Sequence, residues 1–208
     1  VLTGAHLTFA APAGEQVVAG QASFDRQGNS LTVRNTPGAI INWQDFSIYS
    51  NEAVRFIQRS NQSAVMNRIV GQNPSIILGL LESNGKVLLV NPNGIVFGPG
   101  ARVDVQGLIA STLNISNADF LAGRYSFIAG SKSAGITNEG TIRTPSGGSV
   151  YLIASNVTNN GIITTPQGKV LLAAGSSVKL VDSSNPDIAV VVSAPAHQAL
   201  NLGSIIAQ

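Results

Sequence analysis

The stretch of sequence that decides the fold occurs twice in this chain. Residues 136–154 read ITNEGTIRTPSGGSVYLIA, and residues 157–174 read VTNNGIITTPQGKVLLAA. Identical residues recur at a spacing of 21 positions: Asn138, Gly140, Ile142, Thr144, Pro145 and Gly147 return as Asn159, Gly161, Ile163, Thr165, Pro166 and Gly168. The opening of the phrase returns as Asn201-Leu202-Gly203, 42 residues after Asn159, which we interpret as two periods. A period near 20 with Gly and Pro turns is typical of a solenoid of stacked coils.

The period also predicts how the strands pair. Residue i should lie beside residue i + 21 on a parallel strand about 4.8 Å away. Ile142 should therefore pair with Ile163, and Leu152 with Leu172, because the second copy is one residue shorter near its second glycine. Hairpins would instead predict two-residue turns and antiparallel pairing of neighbouring strands.

Alternating apolar residues extend the pattern toward the N-terminus. The short runs include Val87 and Leu89, Ile95 and Phe97, and Val103 and Val105. Glycine, proline or asparagine separates the runs, and these residues supply the backbone angles of turns. We expect a turn at Asn84-Gly85 that opens a strand, and a break at Gly107. The sequence thus predicts an all-β fold of the parallel β-helix (solenoid) type.

Three segments depart from the regular coils, within what we predict to be a single domain over residues 1–208. An exposed solenoid end must be capped, and we assign residues 1–30 to an N-terminal cap. Residues 120–132 break the alternation and predict a short helix or an excursion. Residues 178–200 predict an inserted β-hairpin that packs on the outside. Trp43, Phe46 and Ile48 are interpreted as the first packed layer of the core.

The composition excludes several classes of function. Hydrophobic residues make up 44% and charged residues 11% of the chain, which has a net charge of +2 and no cysteine. Its basic residues are scattered, whereas a nucleic-acid footprint needs a basic stripe, so we expect no nucleic-acid partner. No apolar run approaches the roughly 20 residues of a membrane-spanning helix, and we expect a protein that is not membrane-embedded. The chain starts at Val1 rather than at a methionine, which suggests a trimmed N-terminus.

No catalytic, metal or cofactor site is predicted. The two histidines, His6 and His197, have no His, Asp or Glu at metal-ligand spacing. The segment 79–86 has the wrong glycine spacing for a phosphate-binding loop. The aspartates stand singly, although coil stacking could bring acidic residues together. A β-helical carbohydrate-binding or carbohydrate-active domain therefore remains as the alternative to a non-catalytic module.

The most specific string is Asn91-Pro92-Asn93-Gly94-Ile95. Pro92 presets φ, and Asn93 or Gly94 can adopt the left-handed conformation, so the string predicts a turn. Asn91 can hydrogen-bond its own backbone or stack on the next coil. From the residues alone, this is a well-formed corner.

The chain resembles the secretion domains of the filamentous haemagglutinin family. The resemblance rests on Asn91–Ile95 followed by the strands at 103–112, on the segments 40–48, 64–69 and 110–116, and on the coil repeats through to the ending at 201–207. Some members carry an earlier Asn-Pro-Asn-Leu motif that has no counterpart near residues 56–63. This places the chain nearest the high-molecular-weight adhesin and haemopexin-binding branch.

The resemblance implies a fold, a partner and a set of site residues. It implies a right-handed β-helix at the N-terminus of a large exoprotein, an adhesin, secreted to the surface of a Gram-negative bacterium via the periplasm. Periplasmic domains of an outer-membrane TpsB-type transporter would bind the chain while it is extended, and a host surface ligand would bind elsewhere on the exoprotein. The residues implied in recognition or folding are Asn67, Arg68, Asn91, Pro92, Asn93, Gly94 and Ile95. The implied coil turns are Asn138, Gly140, Asn159, Gly161, Asn201 and Gly203.

Overall fold

The computed structural model describes residues 12–132, 134–180, 190–193 and 198–207, and for 190–193 it describes the backbone alone. Residues 1–11 of the assigned cap, both histidines and the tip of the expected hairpin lie outside these ranges. Almost all of the described chain is β structure, arranged as a β-solenoid of about six turns. The parallel β-helix expected from the sequence is therefore confirmed.

The described elements are strands with a single short helix. The first group of strands is β1 (Gln16–Ala19), β2 (Ala22–Gln27), β3 (Ser30–Asn35), β4 (Ala39–Trp43), β5 (Ala53–Gln58), β6 (Ala64–Ile69) and β7 (Ser75–Ile77). The middle group is β8 (Leu80–Val90), β9 (Ile95–Phe97), β10 (Arg102–Ser111), α1 (Asn117–Leu121), β11 (Tyr125–Ile128), β12 (Ile136–Asn138), β13 (Thr141–Arg143) and β14 (Ser149–Ala154). The last group is β15 (Asn156–Asn159), β16 (Ile162–Thr164), β17 (Lys169–Ala174), β18 (Ser177–Leu180), β19 (Val190–Ser193), β20 (Gln198–Asn201) and β21 (Ser204–Ile206).

The coils present three faces. The first face contains β3, β5, the first half of β8, the first half of β10, β13, β16 and β21. The second face contains β4, β6, the second halves of β8 and β10, β14 and β17. The third face is β7, β9, β12, β15 and β20. Every pairing within these sets is parallel, so each strand lies beside its counterpart in the next coil.

The register predicted from the 21-residue period is confirmed. Ile142 pairs with Ile163, and Leu152 pairs with Leu172. Val103 continues the row above Ile142. The side chains of Val103, Ile142 and Ile163 are fully buried in the lumen, the space enclosed by the three faces. Since the side chains of a strand alternate between its two sides, the same strands present their intervening residues outward.

Two corners differ from the expectation of turns. Asn84 and Gly85 do not open a strand, because β8 runs without interruption from Leu80 to Val90. The Asn84 amide accepts a hydrogen bond from the Gln58 backbone N–H and donates one to the Gln58 carbonyl, both at 2.8 Å. Hydrogen bonds of the Asn84 side chain thus replace backbone-to-backbone hydrogen bonds at the point where β8 passes from the first face to the second. Gly107 likewise lies within continuous β10, at an irregularity in its register with β8.

The 42-residue spacing between Asn159 and Asn201 also has a different origin from the one expected. Asn159 pairs directly with Asn201 as its neighbour in the adjacent coil. The distance is therefore one enlarged coil rather than two periods. The extra length is the excursion that carries β18 and β19, and residues 198–200, placed in the hairpin by the sequence analysis, belong to the solenoid strand β20.

The two excursions build one structure outside the solenoid, which we call the clasp: α1, β11, β18 and β19. β18 pairs antiparallel with both β19 and β11. The segment 120–132 thus contains the end of a short helix and is also part of an excursion, the two alternatives raised by the sequence; its strand β11 was not expected. The clasp covers the outer side of the second face and forms a second apolar core there, separate from the lumen.

The aromatic residues of the first coils pack together in the lumen. The ring of Trp43 meets those of Phe24 and Phe46 edge-on, with centroids 5.6 and 5.4 Å apart, and Phe46 stacks on Phe56. Trp43, Phe46 and Phe56 are at most 1% exposed. The cluster is a packed layer, as the sequence predicted, and it also includes Phe24 of β2 and Phe56 of β5.

The N-terminal end is closed by antiparallel strands. β1 pairs antiparallel with β4, and β2 with β3. Arg26 on β2 donates two hydrogen bonds of 2.8 Å to the Glu15 carboxylate and one of 3.0 Å to the Pro12 carbonyl. These bonds hold residues 12–15 against the end of the first coil. The hydrogen bonds from Arg26 also keep the pKa of Glu15 below its ordinary value of 4.5.

This ion pair predicts an acid-sensitive contribution to stability. A carboxyl whose folded pKa is lowered stabilises the fold above its unfolded pKa, and that stability is lost as the pH falls through the folded value. Glu15→Gln should be less stable than wild type at pH 7 by up to about 1 kcal/mol, the scale of a partly exposed pair. The difference in melting temperature should shrink as the pH falls below 4.5. An equal difference at pH 7 and pH 3 would contradict this role for the pair.

Candidate recognition site

The Asn91–Gly94 string forms the corner between the second and third faces. The Gly94 N–H donates to the Asn91 carbonyl at 3.1 Å, with Pro92 and Asn93 between them. Gly94 alone in the string has a positive φ, +117°, so the left-handed position is Gly94 and not Asn93. Asn at the first position, Pro at the second and Gly at the fourth is the pattern of a type I turn.

The side chain of Asn91 joins this corner to the preceding coil. Its oxygen accepts from the backbone N–H and the side-chain amide of Asn93, both at 3.0 Å. Its amide nitrogen donates to the Asn73 carbonyl and the Ser75 hydroxyl, also at 3.0 Å. Asn93 in turn donates to the Gly71 carbonyl. Asn91 is fully buried, and its hydrogen-bonding groups are used within the domain.

Asn67 and Arg68 are neighbours on β6 that point to opposite sides of the second face. Asn67 lies in the lumen at 0% exposure. Its oxygen accepts from the indole N–H of Trp43 at 3.0 Å, and its amide donates to the Leu88 carbonyl at 3.3 Å. A buried amide without such partners would carry a desolvation cost of about 1–3 kcal/mol. In the folded domain Asn67 therefore satisfies a buried polar group beside the aromatic layer.

Arg68 lies on the outer side, beneath the clasp. Its guanidinium donates to the Ile115 carbonyl and to the Asn117 side-chain oxygen, each at 2.6 Å, and touches the Met66 sulfur at 3.7 Å. Burial lowers the pKa of Arg68, because the charged guanidinium loses water. Arg68 thus pairs in register with Val90, the residue before the corner motif, while its guanidinium contacts the excursion.

A ladder of asparagines forms a corner of the later coils. The Asn138 amide donates to the Asn159 oxygen at 2.7 Å, and the Asn159 amide donates to the Asn201 oxygen at 2.7 Å. Stacking the same residue type in register lets each amide serve as donor to one neighbour and acceptor from the other. The repeated Asn is therefore explained by its position on the axis of stacking.

The glycine two residues after each asparagine is required by close backbone approach. A Cβ on Gly161 would overlap the Gly140 carbonyl oxygen, and one on Gly203 would overlap the Gly161 carbonyl oxygen. At Gly140 the obstacle is Ala101, whose Cβ and carbonyl oxygen would both lie 2.7 Å away. The Asn-x-Gly repeat thus combines one residue that bonds between coils with one that lets the coils meet.

Acidic residues do come together on the first face. Glu82 and Asp104 are parallel partners in adjacent coils. Each carboxylate is already paired, Glu82 with Arg55 at 2.6 Å and Asp104 with Arg102 at 2.8 Å. A nearby open hollow of about 460 Å³, whose lining includes Arg102, has no aromatic side chain in that lining. These ion pairs are the charged contacts expected of an exposed sheet face.

Among the described residues, no three His, Cys, Asp or Glu side chains lie together in a way that could hold a metal ion. The described helix is also too short to cross a membrane. The partners of Arg68 were not found from the sequence, because Ile115 and Asn117 lie 47 and 49 residues away from it, and the 21-residue period relates neither of them to Arg68.

The three-faced solenoid, its capped first coil and the Asn-Pro-Asn-Gly corner together define a class of protein, the secretion domains of exoproteins. The chain belongs to this family: the family model for the TPS secretion domain matches residues 8–208. Domains of this family come from exoproteins exported through the periplasm of Gram-negative bacteria.

Individual relatives agree with the branch indicated by the sequence. This chain is 42% identical to a heme/hemopexin-binding protein of Haemophilus influenzae over 105 residues, which is half of this chain. A second heme/hemopexin-binding protein of that organism is 31% identical over 131 residues, 62% of this chain. The matched stretches cover only 12% and 14% of those two proteins. The crystal structure of the HMW1 secretion domain from Haemophilus influenzae is 40% identical, with a TM-score of 0.88 over 95% of this chain and 54% of that one.

The corner geometry predicts unequal effects of two neighbouring substitutions. Gly94→Val should cost more stability than Asn93→Gly, because valine is strained at φ +117° and would meet the Ala134 Cβ at 3.4 Å. Asn93→Gly loses the hydrogen bonds of its side chain, worth about 1 kcal/mol each. Thermal melting of the two variants measures the difference, and the reverse order would show that the turn is misplaced.

The coil corners predict a second ordering, between two glycines. Gly161→Ala should be severely destabilising, because its Cβ overlaps the carbonyl oxygen of the neighbouring coil. Gly147→Ala is the matched control: Gly147 has φ +76° and no atom within 4 Å of its Cβ position, so alanine there adds about 1–2 kcal/mol of backbone strain alone. Urea unfolding gives both free energies, and equal losses would contradict the role of close approach.

Proposed function

We propose that this domain directs the export of a longer exoprotein, an adhesin, to the cell surface. The periplasmic domains of an outer-membrane transporter of the TpsB type bind it while the chain is extended. The domain then folds outside the cell and provides the first coils on which the following chain stacks. Any host surface ligand is bound by other parts of the exoprotein, and the domain itself has no catalytic activity.

The observation that carries this proposal is the enclosure of the side chains implied in recognition. Asn67 and Asn91 are fully buried, and their amides are bonded within the domain. Arg68 is occupied by the clasp. A partner that reads Asn67 and Asn91 has access to them before the coils stack and not afterwards. Enclosure therefore supports recognition of the unfolded chain.

The topology supports a long-lived extended chain. Every parallel pairing in the solenoid joins residues of different coils, and such non-local contacts slow folding. Segments between residues 29 and 116 alternate in polarity and end as strands β3 to β10. Extended segments of this kind suit capture by addition to a sheet edge, where backbone hydrogen bonds supply affinity.

The last described coil supports the role in nucleation. Ile205 pairs with Ile163 and continues the row of buried lumen residues. Ile163 is fully buried in the row that Ile205 continues. A further coil stacked on β21 in the same register would extend this row, as in other solenoids.

The charged residues of the first face support the absence of catalysis. Glycosidic cleavage needs a pair of carboxyl groups that share a substrate, one acting as acid and one as base or nucleophile. Glu82 and Asp104 instead form ion pairs with Arg55 and Arg102. The arrangement therefore favours the secretion module over the carbohydrate-active alternative.

Binding to folded and unfolded forms tests this function. Ile163→Asp puts an unpaired charge in the lumen and should unfold the coils. Thr164→Asp places the same charge one residue away on the outer side, next to Arg143 in register, and is the matched control. The purified periplasmic domains of the transporter encoded beside the exoprotein gene should bind the Ile163→Asp variant at least about 10-fold more tightly than wild type or Thr164→Asp, since about 1.4 kcal/mol of differential binding suffices.

A third variant distinguishes the contribution of the Asn91 motif to transporter binding from the effect of unfolding alone. Asn91→Ala added to Ile163→Asp should reduce binding if the transporter reads Asn91 in the extended chain. Tighter binding of the periplasmic domains to the native protein than to Ile163→Asp would refute recognition of the extended form. Equal binding by the double and single variants would remove Asn91 from the recognition segment.

A further inference from the structure

The clasp is assembled from two excursions that are far apart in the chain. The first, with α1 and β11, leaves after β10 and returns at β12. The second, with β18 and β19, leaves after β17 and returns at β20. Their joint is the antiparallel pairing of β11 with β18, in which Phe127 lies opposite Val178. Because β14 lies between β10 and β17 in the second face, the joint bridges two coils that are separated by the coil of β14.

The clasp covers an apolar strip on the outer side of the second face. Ile40, Met66 and Leu88 lie in register on β4, β6 and β8, and each is at most 1% exposed. Phe127 and Val178 come from the clasp and are fully buried in the same cluster. Without the clasp, this strip would face solvent as a contiguous hydrophobic patch.

The two cores are separated by the sheet itself. The lumen cluster contains Val65, Val87 and Leu89, while their chain neighbours Met66 and Leu88 belong to the outer cluster. No buried residue is a member of both clusters within the described chain. The clasp can therefore be displaced without removing a clasp residue from the lumen core.

Arg68 connects the first excursion to the solenoid. Its bonds to the Ile115 carbonyl and the Asn117 side chain hold the segment that leads into α1 against β6. These are contacts of a charged group with neutral oxygens at the boundary of the apolar strip. They form when the excursion docks and break when it leaves.

We propose that the clasp is a separate cooperative unit, which closes last over an already stacked solenoid and opens first from it. Proteins open locally in contiguous units with fewer contacts than the whole. In the open state the lumen remains packed, and the strip with Met66 and Arg68 is exposed. This conformational device is independent of how the transporter recognises the chain.

The chain carries a natural probe on each side of the sheet. Its only methionine, Met66, lies in the strip beneath the clasp, and its only tryptophan, Trp43, lies in the lumen. Chloramine-T oxidises Met66 to the sulfoxide: the reagent takes up two electrons and releases chloride, and water supplies the oxygen atom, whose mass is detected in the intact protein. Trp43 emission reports the packing of the lumen in the same sample.

Two phenylalanine variants separate the cores. Phe127→Ala removes a ring of the clasp, and Phe56→Ala removes a ring of the lumen; both rings are at most 1% exposed. Phe127→Ala should raise the oxidation rate of Met66 on the order of 100-fold, from the loss of a buried aromatic ring. The urea midpoint seen by Trp43 should stay near the wild-type value. In Phe56→Ala, the Trp43 midpoint should fall, and Met66 oxidation should rise with it.

Hydrogen exchange of the unmodified chain gives a second readout. The amides that pair β11 with β18 should exchange faster than those that pair β8 with β10. The proposal is overturned if both sets exchange at the same rate. It is also overturned if Phe127→Ala lowers the Trp43 midpoint as much as Phe56→Ala does, or leaves Met66 oxidation unchanged.

Discussion

The structure depends on one constraint: each lumen side chain rests on the side chain in the same register one coil away. Val103, Ile142 and Ile163 form such a row, and none of them could be buried by its own coil. Stability therefore belongs to contacts between coils. The first coil has no preceding coil in the solenoid, and β1, β2 and the Glu15–Arg26 pair cover it instead.

The polar corners follow from the same constraint. A chain that turns every few residues must leave backbone groups without a strand partner, and buried groups of that kind need hydrogen bonds. Asn91 serves the Gly71–Ser75 loop in this way, and Asn138 and Asn159 serve one another. The asparagine side chains of these motifs are thus hydrogen-bonded within the folded domain. Their part in recognition by a transporter stays a proposal.

The 21-residue period was sufficient to predict the parallel pairing of the later coils. Identical residues at 21 positions predict parallel partners, so the pairing of Ile142 with Ile163 could be derived in advance. A turn was expected at Asn84, but the continuation of β8 through it could not be derived, because side-chain hydrogen bonds replace backbone bonds there. The two excursions were expected, but their joining into the clasp was not, since the pairing of Phe127 with Val178 is antiparallel and follows no period. Asn67 and Arg68 were singled out by resemblance, but their neighbours Trp43 and Ile115 emerge only from the fold.

Both excursions leave the solenoid at the corner between the second and third faces, and the coils on either side keep their register. Asn138, Asn159 and Asn201 remain stacked although one coil holds twice as many residues as its neighbour. A corner of this kind accepts inserted residues without disturbing the pairing of the solenoid strands on either side. An insertion at this corner therefore changes the outer surface of the domain without changing the register of the coils.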